Sequence, residues 1–450
     1  MIVEDLARYV VEQRGRPLPD AVVQAAVRCA VDWFGAAVAG GAMEPTRLLA
    51  AAVGDEIGHG AARLVPDGRA APARTAALVN GAAAHAAEVD DIYSPGLYHP
   101  GAPTIAAALA AAESRDADGP SFLRALVVGY EVGDRIAEAI NPSHYASWHT
   151  TGTVGAIGAA AAVAEVLELN AARFAHALAS AATMGAGLQQ AFRSDAMSKP
   201  LHAGHAAEAG LLAARAAADG FTGALDVLEG EAGFGRAMSG AVDWSAVTAG
   251  GDDPRITRTT VKPHVGCGHT FAPVDAALDL RQRGIDPDRI RRIRVDSYRV
   301  AREVAGIARP STPFEAKFSI PFCVATAIVY GAVRLAAFDA RRLDDPALRG
   351  LIERTEIAVD DEHERAFPRL RGARVSVTLD DGRVETADRW TRRGDPDDPL
   401  SDVELDAKFR ELAGEVVGVV AAQRLGRTLW DLPHLDRVRR LPLAAPVAAT

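Results

Sequence analysis

The chain has 450 residues, 49% of them hydrophobic and 24% charged, with a formal net charge of -10. That length exceeds one ordinary compact domain, and the composition is globular, which excludes a disordered or fibrous chain. The only notable basic runs are 291–294 and 437–440, so the basic stripe of a nucleic-acid-binding protein is missing and no nucleic acid is expected as a partner.

The first residues, MIVEDLARYVVEQRGR, are acidic and amphipathic, without the basic and apolar regions of a secretory signal. The apolar run 320–333 stops at Arg334 and is too short to cross a bilayer about 30 Å thick. A cytoplasmic protein with no membrane partner is expected. Cys29, Cys267 and Cys323 lie far apart and form no CxxC pair, which argues against a zinc ribbon or iron–sulfur cluster and fits a reducing compartment.

In chain order, 21–38, 74–90, 104–113, 122–140, 154–169, 172–186, 201–218 and 222–227 carry apolar residues at helical spacing and end near Gly or Pro. Much of the apolar content is Ala and Gly, which allows close helix approach. After a loop at 249–259, the pattern changes to period two in 290–300 and 372–390, with Asp380-Asp381-Gly382 as a hairpin signal. Helices at 272–284 and 320–337 accompany these strands. The tail 401–425 is helical again. The expected organisation is an all-helical first part, 1–254, an α+β domain, 255–392, and a C-terminal helical segment, 393–450, returning to the helical domain.

Potentially cationic side chains recur just before helix starts. His99 precedes PGAPT, His149 precedes Thr150, Thr151 and Thr153 as plausible caps, Lys199 precedes Pro200, His269 precedes a helix carrying Pro273, and Lys317-Phe318-Ser319 precedes one carrying Pro321. A cation at the positive end of a helix is unfavourable unless an anion is shared with the free N–H groups. Five such places point to a ligand with several carboxylates. No GxGxxG follows a strand and no Walker A sequence is present, so no nucleotide cofactor is implied. His202, His205 and Glu208 lack the HExxH spacing, and a hydrogen-bonded histidine is expected there in place of a metal site.

The segments NGAAAHAAEVDD…YHPG, GYEVGDRIAEA, HTTGTVGAIGAAAAVAEVLEL, SKPLHAGHAAEAGLLAARAAADGFTG, LEGEAGFG, VKPHVGCGHTFAPVDAAL and AKFSIPFCVATAIVYG resemble the MmgE/PrpD family, which includes 2-methylcitrate dehydratase, cis-aconitate decarboxylase and iminodisuccinate epimerase. The resemblance runs in order to about residue 390. It implies a mainly α fold, a large all-helical domain with a smaller α+β lid domain, a homodimer and no cofactor. It places the acidic segment on Glu88, Asp90 and Asp91, the histidines on His99 and His149, and further site positions on Lys199, His202, Lys262, His264, Lys317 and Ser319.

Of these, His99, His149, Lys199 and Asp91 are expected to be catalytic. Glu88, His202, Lys262, His264, Lys317 and Ser319 are expected to bind substrate. The chain departs from the family in carrying Ile92 after its acidic segment, where threonine is common, and Gly268 after Cys267, where arginine is common. The expected activity is a cofactor-independent lyase, a dehydratase or decarboxylase of a small di- or tricarboxylic acid. It would work by proton abstraction next to a carboxylate, with lysines stabilising the developing charge. An epimerase of an iminodisuccinate-like acid and a non-catalytic small-acid binder are the alternatives.

Overall fold

In the computed structural model, which describes residues 1–192, 196–248 and 254–445, contacts divide the chain into two compact units. One is Met1–Val261 with Ser401–Thr450, the other Lys262–Leu400. The fold is mainly α with a small mixed sheet in the second unit, as the sequence pattern implies. Residues 249–253 of the expected 249–259 loop lie outside the described residues, and Arg255–Arg258 form a turn of 3-10 helix.

The first unit runs α1 (Ile2–Gln13), α2 (Asp20–Gly41), α3 (Glu44–Ala52), a two-residue antiparallel pair β1 (Ala62–Arg63) and β2 (Ala70–Ala71), then α4 (Ala73–Ala86), α5 (Gly101–Arg115), α6 (Gly119–Ile140), α7 (Thr150–Val166), α8 (Ala171–Ala182) and α9 (Ser198–Ala218). Every residue from Thr150 to Glu165 is buried. A helix apolar on all faces belongs in a core, and α7 is enclosed by α5, α6, α8 and α9. Small residues permit this closeness. At Gly204 of α9 an added Cβ would collide with the carbonyl oxygen of Leu78 in α4.

By length and composition α2 could cross a membrane, yet most of its apolar window is buried inside the unit. Its buried Asp32 is ion-paired with Lys408, from the helix Asp402–Val417. That helix opens with a reciprocal cap, Ser401 with Glu404, and its Phe409 packs against Gly35 of α2. Gly418, at φ 80°, separates it from the last long helix, Val419–Trp430.

Three local expectations change. The helix expected over 74–90 stops at Ala86, because the chain turns and Glu88 adopts φ 60°. The stretch 222–227 forms no helix: 222–224 are irregular and 225–227 lie in a turn. None of the three threonines after His149 caps α7; His149 itself occupies the cap position, without a side-chain cap bond, and the threonines are buried inside the helix.

In the second unit the strands are β3 (Ile290–Ser297), β4 (Thr355–Val359), β5 (Ala373–Leu379) and β6 (Val384–Arg389), in sheet order β4-β3-β5-β6. β3 pairs parallel with β4 and antiparallel with β5, with Val295 opposite both Ile357 and Val375. β5 and β6 form the expected hairpin, Ser376 opposite Thr386. Strict alternation of burial along β5 marks one face turned to the core. The helix Phe271–Gln282 packs on β5, β6 and the helix Ile320–Tyr330. The latter was expected to reach 337 but ends at Gly331, which takes the left-handed cap conformation at φ 76°.

Candidate active site

The end of α4 at Ala86 shapes the site, because the three acids that follow leave the helix and point to three different partners. Glu88 is ion-paired with Lys199 in the first turn of α9, and both side chains are buried. Asp90 Oδ2 accepts a 2.6 Å hydrogen bond from Nδ1–H of His85, in the last turn of α4. Asp91 accepts from Gly101 N (3.1 Å) and from the Tyr130 hydroxyl (2.7 Å), so its carboxyl ties the loop to α5 and α6.

The loop then returns to His99. Its Nδ1 is 2.7 Å from the carbonyl oxygen of Asp91. A carbonyl oxygen can only accept, so Nδ1 carries the proton and the neutral ring keeps its lone pair on Nε2. Asp90 Oδ2 lies 3.6 Å from the same Nδ1. The His99 backbone N–H donates to Thr151 Oγ1 (3.2 Å), which joins the loop to the first turn of α7. Thus Asp91 orients His99 through its backbone carbonyl, while its carboxyl group is held by Gly101 and Tyr130.

His149, at the start of α7, closes the cluster. Its Nδ1 lies 3.1 Å from Nδ1 of His202 on α9. The rings of His85 and His149 stack at 5.4 Å, those of His85 and His99 meet edge-on at 4.9 Å, and those of His149 and His202 lie 5.3 Å apart. Four imidazoles and the Lys199–Glu88 pair therefore share one corner built by α4, α7, α9 and the 87–99 loop.

Burial decides the charge states there. Burial, with the charges of His85 and Lys199 beside it, holds His149 well below the ordinary histidine value. Burial and then the same two neighbours lower His202 to about 4. Burial also raises Asp91 to about 8, the nearby Asp90 adding to it while the Tyr130 hydrogen bond opposes it. At neutral pH both histidines are uncharged and available as proton acceptors or neutral donors.

His85, Asp90 and His99 bring three donor atoms within 4.8 Å of one another. Both Nδ1 atoms already give their protons to oxygen acceptors, so the group is a hydrogen-bonded chain and no metal is assigned to it. His202 also lines a cleft of about 550 Å³ with Gly187, Leu188, Leu201 and His205. A cleft of about 650 Å³ elsewhere in the unit, lined by Arg14, Arg124 and Glu165 among others, contains none of the expected site residues.

The structure therefore brings together His99, His149, Lys199, Glu88, Asp91 and His202. Lys262, His264, Lys317 and Ser319 belong to the second unit. Lys262 is buried there. His264 donates Nε2–H to Asp275 (2.8 Å). Lys317 accepts the Cys267 backbone N–H at its carbonyl oxygen. Ser319 caps the helix Ile320–Tyr330, accepting from Phe322 N (3.2 Å) and donating to Ile307 O (2.6 Å), so its hydroxyl is used within the fold. His85 and Asp90 join the cluster as additional members.

Comparison with known proteins agrees with this architecture. Residues 4–246 match the MmgE/PrpD N-terminal domain and residues 264–432 the MmgE/PrpD C-terminal domain. The chain is 29% identical to the cis-aconitate decarboxylase-like protein oryM of Aspergillus oryzae, across 96% of this chain and 94% of that protein. It is 28% identical to the human cis-aconitate decarboxylase, across 81% and 78%, and 26% identical to that of Aspergillus terreus, across 85% and 83%. With both domains matched in order over most of its length, this chain belongs to the MmgE/PrpD family.

Proposed function

We propose that the protein is a cofactor-independent lyase that removes CO2 from a small unsaturated di- or tricarboxylic acid of the cis-aconitate type. The observation that carries this reading is the convergence of the buried His85 and His149 with the half-buried His99 and His202 and the Lys199–Glu88 pair, in a chain whose relatives are named cis-aconitate decarboxylases.

Loss of CO2 from a carbon next to a double bond leaves its electron pair spread over the allyl system and the neighbouring carboxylate. A proton delivered to the far carbon completes the reaction. The site must therefore hold developing negative charge and supply a proton. Lys199 is the cation within the cluster and takes the first role. Of the two catalytic histidines, His99 has a carboxylate 3.6 Å from its Nδ1 to stabilise its cation, and it donates to carbon. His149, kept neutral, contacts the substrate without fixing the departing carboxylate by charge. Lys262 and Lys317 are proposed as further substrate-binding residues on the strength of the family resemblance alone.

The test is CO2 release from cis-aconitate, citrate, 2-methylcitrate and an amino-dicarboxylate, by the wild type and by H99Q. Release from the unsaturated acid is expected, with kcat reduced in H99Q by about 10²–10⁴, the scale of a general acid. Release from none of them would overturn the reading. Water loss from 2-methylcitrate in place of CO2 release would make the protein a dehydratase.

A further inference from the structure

His85 is fully buried, 0% exposed, at the end of α4. Its Nδ1–H is given to Asp90, while its Nε2 has no hydrogen-bond partner among the described residues. Its ring lies against both proposed catalytic histidines, at 4.9 Å from His99 and 5.4 Å from His149. Asp90 is 1% exposed, and the single oxygen Oδ2 faces Nδ1 of His85 at 2.6 Å and Nδ1 of His99 at 3.6 Å. One buried carboxylate is thus shared by two imidazoles.

We propose that His85 is a positioning residue of the reaction: its Nδ1–H fixes and partly neutralises the Asp90 carboxylate that faces His99, and so sets how readily His99 gives up its proton. This inference rests on the lyase reading. A carboxylate held by one strong donor offers less of its charge to a second. With His85 in place, the His99 cation is stabilised enough to form and not so much that it withholds its proton from carbon. The other titratable groups packed at this corner are Glu88 and Asp91 of the loop, His149 of α7, Lys199 and His202 of α9 and, on α6 near Asp91, the buried Asp134. None of them stands between His85 and the shared oxygen, because the His85 bond to Asp90 is direct.

The experiment compares wild type, His85→Leu and Asp90→Asn by histidine ring ¹⁵N NMR titration of His99 and by the pH profile of kcat. In His85→Leu more of the Asp90 charge acts on His99, and the His99 titration is expected to rise by about one pH unit, an opposite charge at this range acting on that scale. The kcat is expected to fall by about tenfold to a hundredfold, with KM little changed. Asp90→Asn keeps the shape, removes the charge and is expected to lower the His99 titration, so it carries the test if His85→Leu does not fold. An unmoved His99 titration in the folded variants overturns the inference, as does a loss of kcat that follows only the folded fraction while the pH profile stays in place. The ring titration needs no substrate. A wild type that turns over no acid therefore contradicts the lyase reading alone, while the titration still judges His85.

Discussion

Glu88 shows how single residues set this site. It occupies left-handed backbone space at φ 60°, uncommon for a residue with a side chain, and from there its carboxylate meets Lys199. Because both side chains are only 8% exposed, removing one partner strands a buried charge. Lys199→Met is expected to destabilise the fold by about 3–5 kcal/mol, and the double variant with Glu88→Gln to regain most of that loss, as read by urea unfolding. Equal losses in the single and double variants would contradict the pairing. Asp91 gives a pH-dependent counterpart. Its value of about 8 means that the folded protein keeps a proton which the unfolded chain releases above about pH 4. The stability linked to that proton is present at low pH and is lost as pH rises toward 8. Asp91→Asn retains an acceptor for Gly101 N and a partner for Tyr130. The stability of wild type relative to this variant is expected to fall between about pH 5 and pH 8, by up to about 1.4 kcal/mol per pH unit. A difference that stays flat with pH would mean that Asp91 is ionised in the folded state.

At the scale of elements, the site depends on how closely α4 and α9 approach, since one delivers His85 and the loop bearing Glu88, and the other carries Lys199 and His202. Gly204 lies where an added Cβ meets the Leu78 carbonyl. Gly204→Ala is expected to cost about 1–3 kcal/mol by overpacking, measured as a lowered Tm, and to reduce turnover by drawing Lys199 away from Glu88. An unchanged Tm would show that the two helices have room to spare. Most helices and the β5–β6 hairpin were legible in the sequence, because Ala-rich helical periodicity and an Asp-Asp-Gly turn are local signals. The early end of α4 was not. Its helical pattern continues to Asp90, and nothing in the residue types announces a reversal at Glu88. For the same reason the His85–Asp90 pair stayed hidden: a five-residue separation is no neighbour spacing in a helix. β4 was missed because TEIAV is short and half-buried along its length, which weakens its alternation.

For the whole molecule, motif order across the chain revealed the family, and the two matched domains agree with it. His99, His149 and Lys199 were legible because each precedes or opens a helix, and α5, α7 and α9 bring those ends into one unit around the core. What the sequence could not supply was the charge balance, since burial of His149 and His202 and the sharing of Asp90 arise only when α4, α7 and α9 pack together. The account's central claim is that this corner carries out decarboxylation without an added cofactor. The most direct test is proton NMR of the chelator-treated protein with cis-aconitate in D2O. The account predicts new terminal-methylene vinyl signals and one deuteron on the newly protonated carbon, at a rate unchanged by chelator. Absence of vinyl signals, or a rate restored only by adding a metal ion, would contradict it.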